Sequence, residues 1–270
     1  MDELERLREE LSELDVKLLE MVARRQQIVA NIGRVKSASG RGTRDYAREK
    51  DVLQLARRTA ARVGLDEEVG ADIFRLLIRV SLAVQEQDKV ATFGSGSGKR
   101  ALVIGGAGQM GQWFVRFLAS QGYQVEVCDP AGGLDEYVSY ADLGSSRLDQ
   151  DLIVVTAPIA ETAKILSELA LSRPQGVIFD ISSLKGPLLA GLRELKAAGC
   201  RVASVHPMFG PDTELLSGRN LVHVDLGVAE ATAAVRALFD PTMVEQVTSL
   251  QFQVVCLVLQ KEQFNLETRM

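Results

Sequence analysis

Three closely spaced glycines after a short apolar segment form a pattern that could bind a phosphate group. They follow the segment Ala101–Ile104 in G-x-G-x-x-G spacing and are Gly106, Gly108 and Gly111. Such glycines allow a tight turn, a close approach of the backbone to a pyrophosphate, and close packing of a helix on the strand. The first amides of that helix then face the pyrophosphate, so Gln109 and Met110 belong to the predicted site.

An acidic residue stands where this glycine motif needs one. A second predicted strand, Gln124–Cys128, ends directly before Asp129. A carboxylate at this position can bind both ribose hydroxyls and repels a 2′-phosphate, which favours NAD over NADP. The order of strand, helix, strand and acid predicts nucleotide binding rather than an ordinary glycine-rich turn.

Length and composition predict a globular protein of about two domains. The chain has 270 residues, of which 46% are hydrophobic and 25% charged. The N-terminal segment is charged, so we expect no secretory signal. Apolar runs stay well below ~18 residues, so we expect no membrane-spanning helix. Three scattered cysteines and two histidines predict free thiols in a reducing cytoplasm and no metal site. The net charge of −5 argues against a nucleic-acid partner.

Helical periodicity dominates the first 90 residues. Apolar residues recur at helical spacing and predict helices from about Asp2 to Ser37, Arg44 to Val63 and Asp66 to Lys89. Asp66 is the expected N-cap of the third helix, because its carboxylate can accept free first-turn amides. Residues 91–99 are rich in glycine and serine and predict a flexible linker.

Strand and helix patterns alternate after the linker, as a parallel sheet requires. The predicted strands are Ala101–Ile104, Gln124–Cys128, Leu152–Thr156, Gly176–Ile181 and Arg201–Val205. We therefore expect an all-α domain over residues 1–90 and an α/β Rossmann-type domain over residues 100–247. Residues 248–270 form an apolar tail that is too short to be a domain.

The first predicted helix is too long for a monomer. Some 35 residues span roughly 50 Å, whereas a compact domain of 90 residues has a radius of gyration of about 12 Å. The helix must extend beyond such a domain, and its apolar stripe needs a partner. We expect it to pack against the same helix of a second chain, in an intertwined homodimer.

Charged and polar residues recur along the three predicted helices. They are Arg8, Arg25 and Lys36 on the first helix, Asp45, Arg48 and Glu49 at the start of the second, and Ser81 and Gln85 on the third. Spacing alone would assign most of them to solvated helix faces.

Residues 1–90, however, resemble the all-helical chorismate mutase family, and these eight residues match its active-site pattern position by position. The resemblance implies rearrangement of chorismate to prephenate, a reaction that needs positioning and charge stabilisation but no nucleophile. It assigns Arg8, Arg25 and Arg48 to the carboxylates, Lys36 and Gln85 to the ether oxygen, Glu49 to the ring hydroxyl, and Asp45 and Ser81 to the surroundings. Guanidinium groups suit carboxylates, and in this family the arginine matching Arg8 comes from the partner chain.

Two further motifs follow predicted strands, D-I-S-S-L-K at Asp180–Lys185 and V-H-P-M-F-G-P at Val205–Pro211. Both can face the crevice at the carboxyl ends of the strands. Residues 100–247 resemble the nucleotide-binding domain of prephenate dehydrogenase, and the domain order resembles the fused mutase–dehydrogenase family of tyrosine biosynthesis. The resemblance implies oxidative decarboxylation of prephenate to 4-hydroxyphenylpyruvate with NAD, with His206 polarising the substrate hydroxyl and Ser183 assisting.

The end of the chain departs from this family. Family members continue with a helical domain that closes the prephenate site, and residues 251–270 do not resemble its start. We therefore expect an incomplete prephenate site. Two alternatives stay open: a mutase with an inert dehydrogenase half, and a non-catalytic module that senses NAD or tyrosine. The complete cationic set argues against the second.

Overall fold

The computed structural model describes residues 2–38, 45–242 and 244–249. The chain divides into two compact units, Met1–Asp88 and Lys89–Met270. The first is helical and the second is an α/β sheet domain, which confirms the predicted fold class. Arg44 and the tail from residue 250 onward lie outside the described residues.

Three helices build the first unit: α1 (Glu3–Ala38), α2 (Tyr46–Arg62) and α3 (Glu67–Phe93). Carboxylates cap the starts of the second and third. Asp45 Oδ1 accepts the amide of Arg48 at 2.9 Å, and Asp66 Oδ1 accepts the amides of Glu68 and Val69 at 2.8 and 3.1 Å. These bonds satisfy first-turn amides and confirm Asp66 as an N-cap.

Helices α2 and α3 approach closely where small residues face each other. A Cβ at Gly70 would lie 2.6 Å from the Cβ of Ala60, so no larger residue fits there. Ala56 and Ala60 are buried, and Arg57 Nε donates to Glu68 Oε1 at 2.8 Å. The pair is thus held by close packing and by an ion pair at its edge.

Helix α1 leaves its apolar stripe exposed in this chain. Leu7, Leu11, Leu14 and Leu18 are each about half exposed, between 49% and 59%. Its 36 residues correspond to about 54 Å at 1.5 Å per residue. The stripe therefore buries little apolar surface within one chain.

An eight-stranded sheet forms the second unit, in the order β3-β2-β1-β4-β5-β6-β7-β8. The strands are β1 (Arg100–Ile104), β2 (Gln124–Cys128), β3 (Val138–Tyr140), β4 (Leu152–Val155), β5 (Val177–Asp180), β6 (Arg201–Pro207), β7 (Asn220–Val224) and β8 (Glu245–Ser249). The first six are parallel, and β7 pairs antiparallel with β6. This is the six-stranded Rossmann order with two added strands.

Four helices cover the sheet: α4 (Gln109–Ser120), α5 (Ile159–Ser172), α6 (Leu189–Ala197) and α7 (Ala229–Phe239). Two short 3₁₀ turns lie at Leu143–Ser145 and Gly186–Leu188. One core includes Phe114, Phe179 and Phe239, and a second includes Leu166 and Leu192. Because helices cover both faces, the central strands are apolar throughout.

The predicted linker is shorter and more closely packed than a free Gly/Ser chain. Helix α3 runs on to Phe93, beyond the predicted end at Lys89. The amide of Gly96 donates to the carbonyl of Gln121 at 3.1 Å, and a Cβ at Gly96 would lie 2.2 Å from the Tyr123 ring. Glycine is needed here for a close approach. Across the described ranges, no helix is long and apolar enough to span a membrane.

Candidate active sites

The glycine-rich loop connects β1 to α4. Gly105 has φ +83°, and a Cβ there would lie 2.7 Å from the amide nitrogen of Ala157. The left-handed turn therefore falls one residue before the glycines that the motif singled out. The doubled glycine in I-G-G-A-G was the available signal, because φ values in this region favour glycine.

The three motif glycines each permit a close approach. A Cβ at Gly111 would lie 2.1 Å from the Gly105 carbonyl oxygen, and one at Gly106 would lie 2.6 Å from Val127 Cγ1. Gly108 is the N-cap of α4 and supplies no side-chain cap. The first turn of α4, which contains Gln109 and Met110, therefore presents amides that no capping side chain covers, as a pyrophosphate site requires.

Asp129 is tied to this loop. Its Oδ2 accepts the amide of Ala107 at 3.0 Å and its Oδ1 accepts the amide of Ala131 at 2.9 Å. The residue is 9% exposed. A carboxylate offers about four acceptor positions, so two remain for ribose hydroxyls. Asp129 can thus shape the loop and still receive a ligand.

The loops after β1 and β4 diverge at the switch point of the sheet. Thr156, directly after β4, lies with its Oγ1 2.9 Å from the carbonyl oxygen of Ile104 and 3.0 Å from that of Gly105, and its hydroxyl donates to them. Helices α4 and α5 then leave from neighbouring strands. Ligands of open α/β sheets bind in the crevice formed at such a point.

His206 lies within β6 rather than after it. The predicted strand ended at Val205, but β6 continues to Pro207 because His206 pairs with Val222 on the antiparallel strand β7. The imidazole is partly buried. Burial, and secondly the charge of Lys185, lower the pKa of His206 to about 4. The ring is therefore neutral at physiological pH and can accept a hydrogen bond.

A buried ion pair lies beside His206. Lys185 and Asp180 are both 0% exposed, and Lys185 Nζ donates to Asp180 Oδ1 at 2.7 Å. Lys185 Nζ also donates to the carbonyl of Val205 at 2.8 Å. Both residues lie in the D-I-S-S-L-K motif, but sequence reasoning did not assign them a role, because a lysine is almost never fully buried.

Ser183 follows β5, and His206 lies near the end of the neighbouring strand β6. Both residues therefore lie at the carboxyl edge of the sheet, as predicted. Ser183 is exposed in the loop after β5, and within the described part of the chain no direct hydrogen bond joins it to His206. The structure thus places the two residues at one edge without linking them.

A tryptophan packs against the segment that follows His206 and donates a hydrogen bond to it. Trp113 on α4 packs against Phe209, with ring centroids 5.0 Å apart. Its Nε1 donates to the carbonyl of Thr213 at 2.9 Å. The helix that begins at the glycine-rich loop therefore holds the loop that follows the histidine.

The helical unit holds a second polar cluster, between α1 and α3. Arg25 Nη1 donates to Ser81 Oγ at 2.9 Å and to the Leu77 carbonyl at 3.2 Å. The guanidinium carbon lies 5.9 Å from the centre of the Phe74 ring. Burial lowers the pKa of Arg25, although an arginine stays charged in proteins. The structure thus fixes a partly desolvated cation between two helices.

Gln85 lies one turn further along α3. Its Nε2 donates to the Val29 carbonyl at 3.2 Å. A Cβ at Gly33 would lie 3.1 Å from Gln85 Cγ, so this glycine leaves room for the side chain. Because an amide nitrogen carries two hydrogens, Gln85 keeps a second donor for a ligand.

The remaining predicted residues are spread over the unit. Lys36 lies in the last turn of α1, and Arg48 and Glu49 lie in the first turn of α2. Arg8 is exposed and lies about 25 Å along α1 from Arg25, at 1.5 Å per residue. One chain therefore unites Arg25, Ser81 and Gln85 but does not bring Arg8 to them. Asp45 serves as the N-cap of α2.

No group of three His, Cys, Asp or Glu side chains that could hold a metal occurs among the described residues.

Comparison with known proteins shows that each unit is similar to a known family. Residues 7–86 match the family model of chorismate mutase type II, and residues 136–235 match that of the prephenate dehydrogenase nucleotide-binding domain. The glycine-rich loop lies before the second matched range.

Two relatives match most of this chain. The T-protein of Enterobacter agglomerans is 29% identical over 83% of the chain, and that of Haemophilus influenzae is 28% identical over 83%. The chain spans 57% of the length of each. An imine reductase from Myxococcus stipitatus, solved in complex with NAD⁺, has a TM-score of 0.52 at 15% identity, and the match covers 63% of each chain. That likeness shows the fold alone.

Proposed function

We propose that this chain, which joins a chorismate mutase domain of type II to a prephenate dehydrogenase nucleotide-binding domain, rearranges chorismate to prephenate and, at least by ancestry, oxidatively decarboxylates prephenate with NAD. The comparisons confirm the resemblance predicted from the sequence. The observation that carries the proposal is the Arg25–Ser81 contact beside Gln85, within the range that matches the mutase family.

The mutase reaction is unimolecular, so the helical unit has to position chorismate and stabilise the charge that grows on its ether oxygen. Arg25 supplies a guanidinium that is already partly desolvated and oriented by Ser81, and it suits a substrate carboxylate. The second N–H of Gln85 and the ammonium of Lys36 donate to the ether oxygen. Arg48 completes the carboxylate contacts, and Glu49 accepts from the ring hydroxyl.

A homodimer through α1 completes this site. The exposed leucine stripe of α1 needs cover, because large exposed apolar patches mark interaction surfaces. Arg8 lies far along the helix from Arg25, so we assign it to the active site of the partner chain. A second copy therefore supplies both the apolar cover and the missing arginine.

The α/β unit is proposed to bind NAD and prephenate. NAD bound there would supply the hydride acceptor, and the ring carboxylate of prephenate would leave as CO₂. The residues fit such a cofactor: Gly108 leaves the first amides of α4 uncovered, and Gly111 allows α4 to approach the loop. Asp129 holds the ribose and disfavours a 2′-phosphate. Neutral His206 accepts a hydrogen bond from the substrate hydroxyl, and Ser183 assists from the neighbouring loop.

The same proposal assigns the enzyme to tyrosine biosynthesis in the cytoplasm. Cys128 and Cys200 are buried free thiols, which a reducing compartment preserves. The net charge of −5 argues against a nucleic-acid partner.

Two assays on the full chain test the proposal: loss of chorismate without added nucleotide, and prephenate-dependent formation of NADH. Arg25→Ala should lower mutase kcat/KM by at least about 100-fold, since a charge-assisted contact is worth roughly 1.5–3 kcal/mol and more where charge develops. Arg24→Ala is the matched control, because Arg24 is the neighbouring arginine on α1 and its side chain is exposed. Equal turnover of these two variants would contradict the assignment.

A further inference from the structure

Two neighbouring residues of α4 contact two different loops of the α/β unit. Gln112 Nε2 donates to the carbonyl of Ala107 in the glycine-rich loop at 2.8 Å. Trp113 Nε1 donates to the carbonyl of Thr213, 100 residues further along the chain, at 2.9 Å. Adjacent side chains on a helix point about 100° apart, so one turn of α4 holds both loops. The second loop follows β6, the strand that carries His206.

The histidine turn, residues 209–213, lies in that second loop. The amide of Thr213 donates to the carbonyl of Gly210 at 3.1 Å and closes the turn. Trp113 contacts both ends of it. Its ring centroid lies 5.0 Å from that of Phe209, and its Nε1 binds the carbonyl of Thr213. One side chain therefore fastens the turn to α4 at two points.

The indole itself is held by aromatic rings of its own helix. Trp113 is 7% exposed. Its ring stacks on Phe117 at a centroid distance of 4.9 Å and meets Phe114 edge-on at 5.0 Å. A phenylalanine would fill most of this space, so packing alone does not require an indole. The N–H is what a tryptophan adds, because a buried indole N–H usually finds a hydrogen-bond partner, and its partner is the histidine turn.

The same helix begins at the proposed pyrophosphate site. Trp113 lies five residues after Gly108, the N-cap of α4, or about 7.5 Å along the helix axis. A ligand on the first amides of α4 therefore binds the element that holds the histidine turn. Because a ligand that binds only the ordered form opposes local opening, the contacts of Trp113 extend this effect to the turn.

We propose that Trp113 is a positioning residue of the dehydrogenase site, which fastens the histidine turn to α4 so that NAD binding orders the loop beside His206. The cofactor then sets the substrate side of the site in place before prephenate reacts. A displacement of about 1 Å, even far from the reacting atoms, can lower a rate by about 100-fold. This inference rests on the proposed function, in which α4 binds NAD and His206 binds prephenate.

Hydrogen exchange of the full chain, followed by mass spectrometry on peptides that contain residues 209–213, tests this proposal. Trp113→Phe removes the indole N–H and keeps an aromatic ring. Without ligand, these peptides should exchange about 2- to 12-fold faster in the variant, as expected for the loss of one ordinary hydrogen bond. NAD should slow their exchange in the unmutated chain but not in Trp113→Phe, although calorimetry should show that both bind NAD with similar dissociation constants. Loss of a merely structural contact would leave the NAD effect intact.

Tyr123→Phe is the matched control. It removes a hydroxyl that lies 3.3 Å from Ser95 Oγ, beyond the other end of α4, and the histidine turn should exchange as in the unmutated chain, with and without NAD. Unchanged exchange in Trp113→Phe would overturn the proposal, as would an equal NAD effect in the variant and the unmutated chain.

Two further outcomes are decided by the same measurements. If Trp113→Phe does not fold, Phe209→Leu decides, because it removes the ring that contacts Trp113 and should likewise speed exchange and abolish the NAD effect; unchanged behaviour there overturns the proposal. An unmutated chain that binds no NAD contradicts the proposed cofactor site instead. The ligand-free comparison then still decides whether Trp113 holds the turn.

Discussion

Replacing Gln85 by glutamate should give a mutase activity that is higher in acid than at neutral pH. Gln85 Nε2 donates to the Val29 carbonyl and keeps a second N–H for the ether oxygen. A glutamate at this position donates only while it is protonated. Its ionised form would face the Val29 carbonyl and the growing negative charge, so burial and repulsion should raise its pKa above the ordinary value.

The size of the effect follows from the partly buried site. Placing an unmatched acceptor where a donor stood costs roughly 1–3 kcal/mol, or about 5- to 150-fold in rate. Because the pKa of the introduced carboxyl group is raised, the active form is present below that pKa and is lost as pH rises through it. The kcat/KM of Gln85→Glu should therefore fall by about 5- to 150-fold from pH 4 to pH 8.

The assay is the initial rate of chorismate loss across this pH range. Gln87→Glu is the matched control, since Gln87 lies two residues along α3 and is exposed. The profile of that variant should follow the unmutated chain. A flat profile for Gln85→Glu, with the fold preserved by circular dichroism, would refute the proposed role of Gln85.

Three further outcomes test the shared site and the cofactor site. A mixture of Arg8→Ala chains and Lys36→Ala chains should regain mutase activity that neither variant has alone, because one site in each mixed dimer holds both native residues. Subunit exchange without recovery of mutase activity would exclude a shared site. Asp129→Asn should narrow the preference for NAD over NADP in calorimetry, and equal binding of both by the unmutated chain would contradict the role of Asp129. Gly111→Ala should abolish NAD binding, because its Cβ would lie 2.1 Å from a loop carbonyl oxygen, whereas Gly186→Ala, which faces open space, should not.

Patterns between residues close in sequence were sufficient to predict much of the fold. The three helices of the first unit appear within a few residues of their predicted bounds, because apolar periodicity and the Asp66 cap act between residues close in sequence. The five predicted strands of the parallel sheet are present for a related reason. Strands buried on both faces are continuous apolar runs, and such runs are visible without knowing their neighbours.

The sequence did not predict the strands that form only by pairing with a neighbouring strand. β3 has only three residues, and none of them is buried, so it lacks an apolar run. β7 and β8 extend the sheet beyond the expected five strands, and β7 draws His206 into β6 by antiparallel pairing. Such pairing joins residues far apart in sequence, and no local pattern specifies it.

The candidate sites were likewise predicted only in part from the sequence. The amino-acid sequence by itself determined which residue types were available: the glycines of the loop, Asp129, His206, and the charged positions of the helices. Only the tertiary structure decided which of them meet. Packing of α1 on α3 joined Arg25 to Ser81, and pairing of β5 with β6 buried Lys185 beside His206. Burial and long-range contacts set the pKa and orientation of these groups, and both arise only when distant segments pack together.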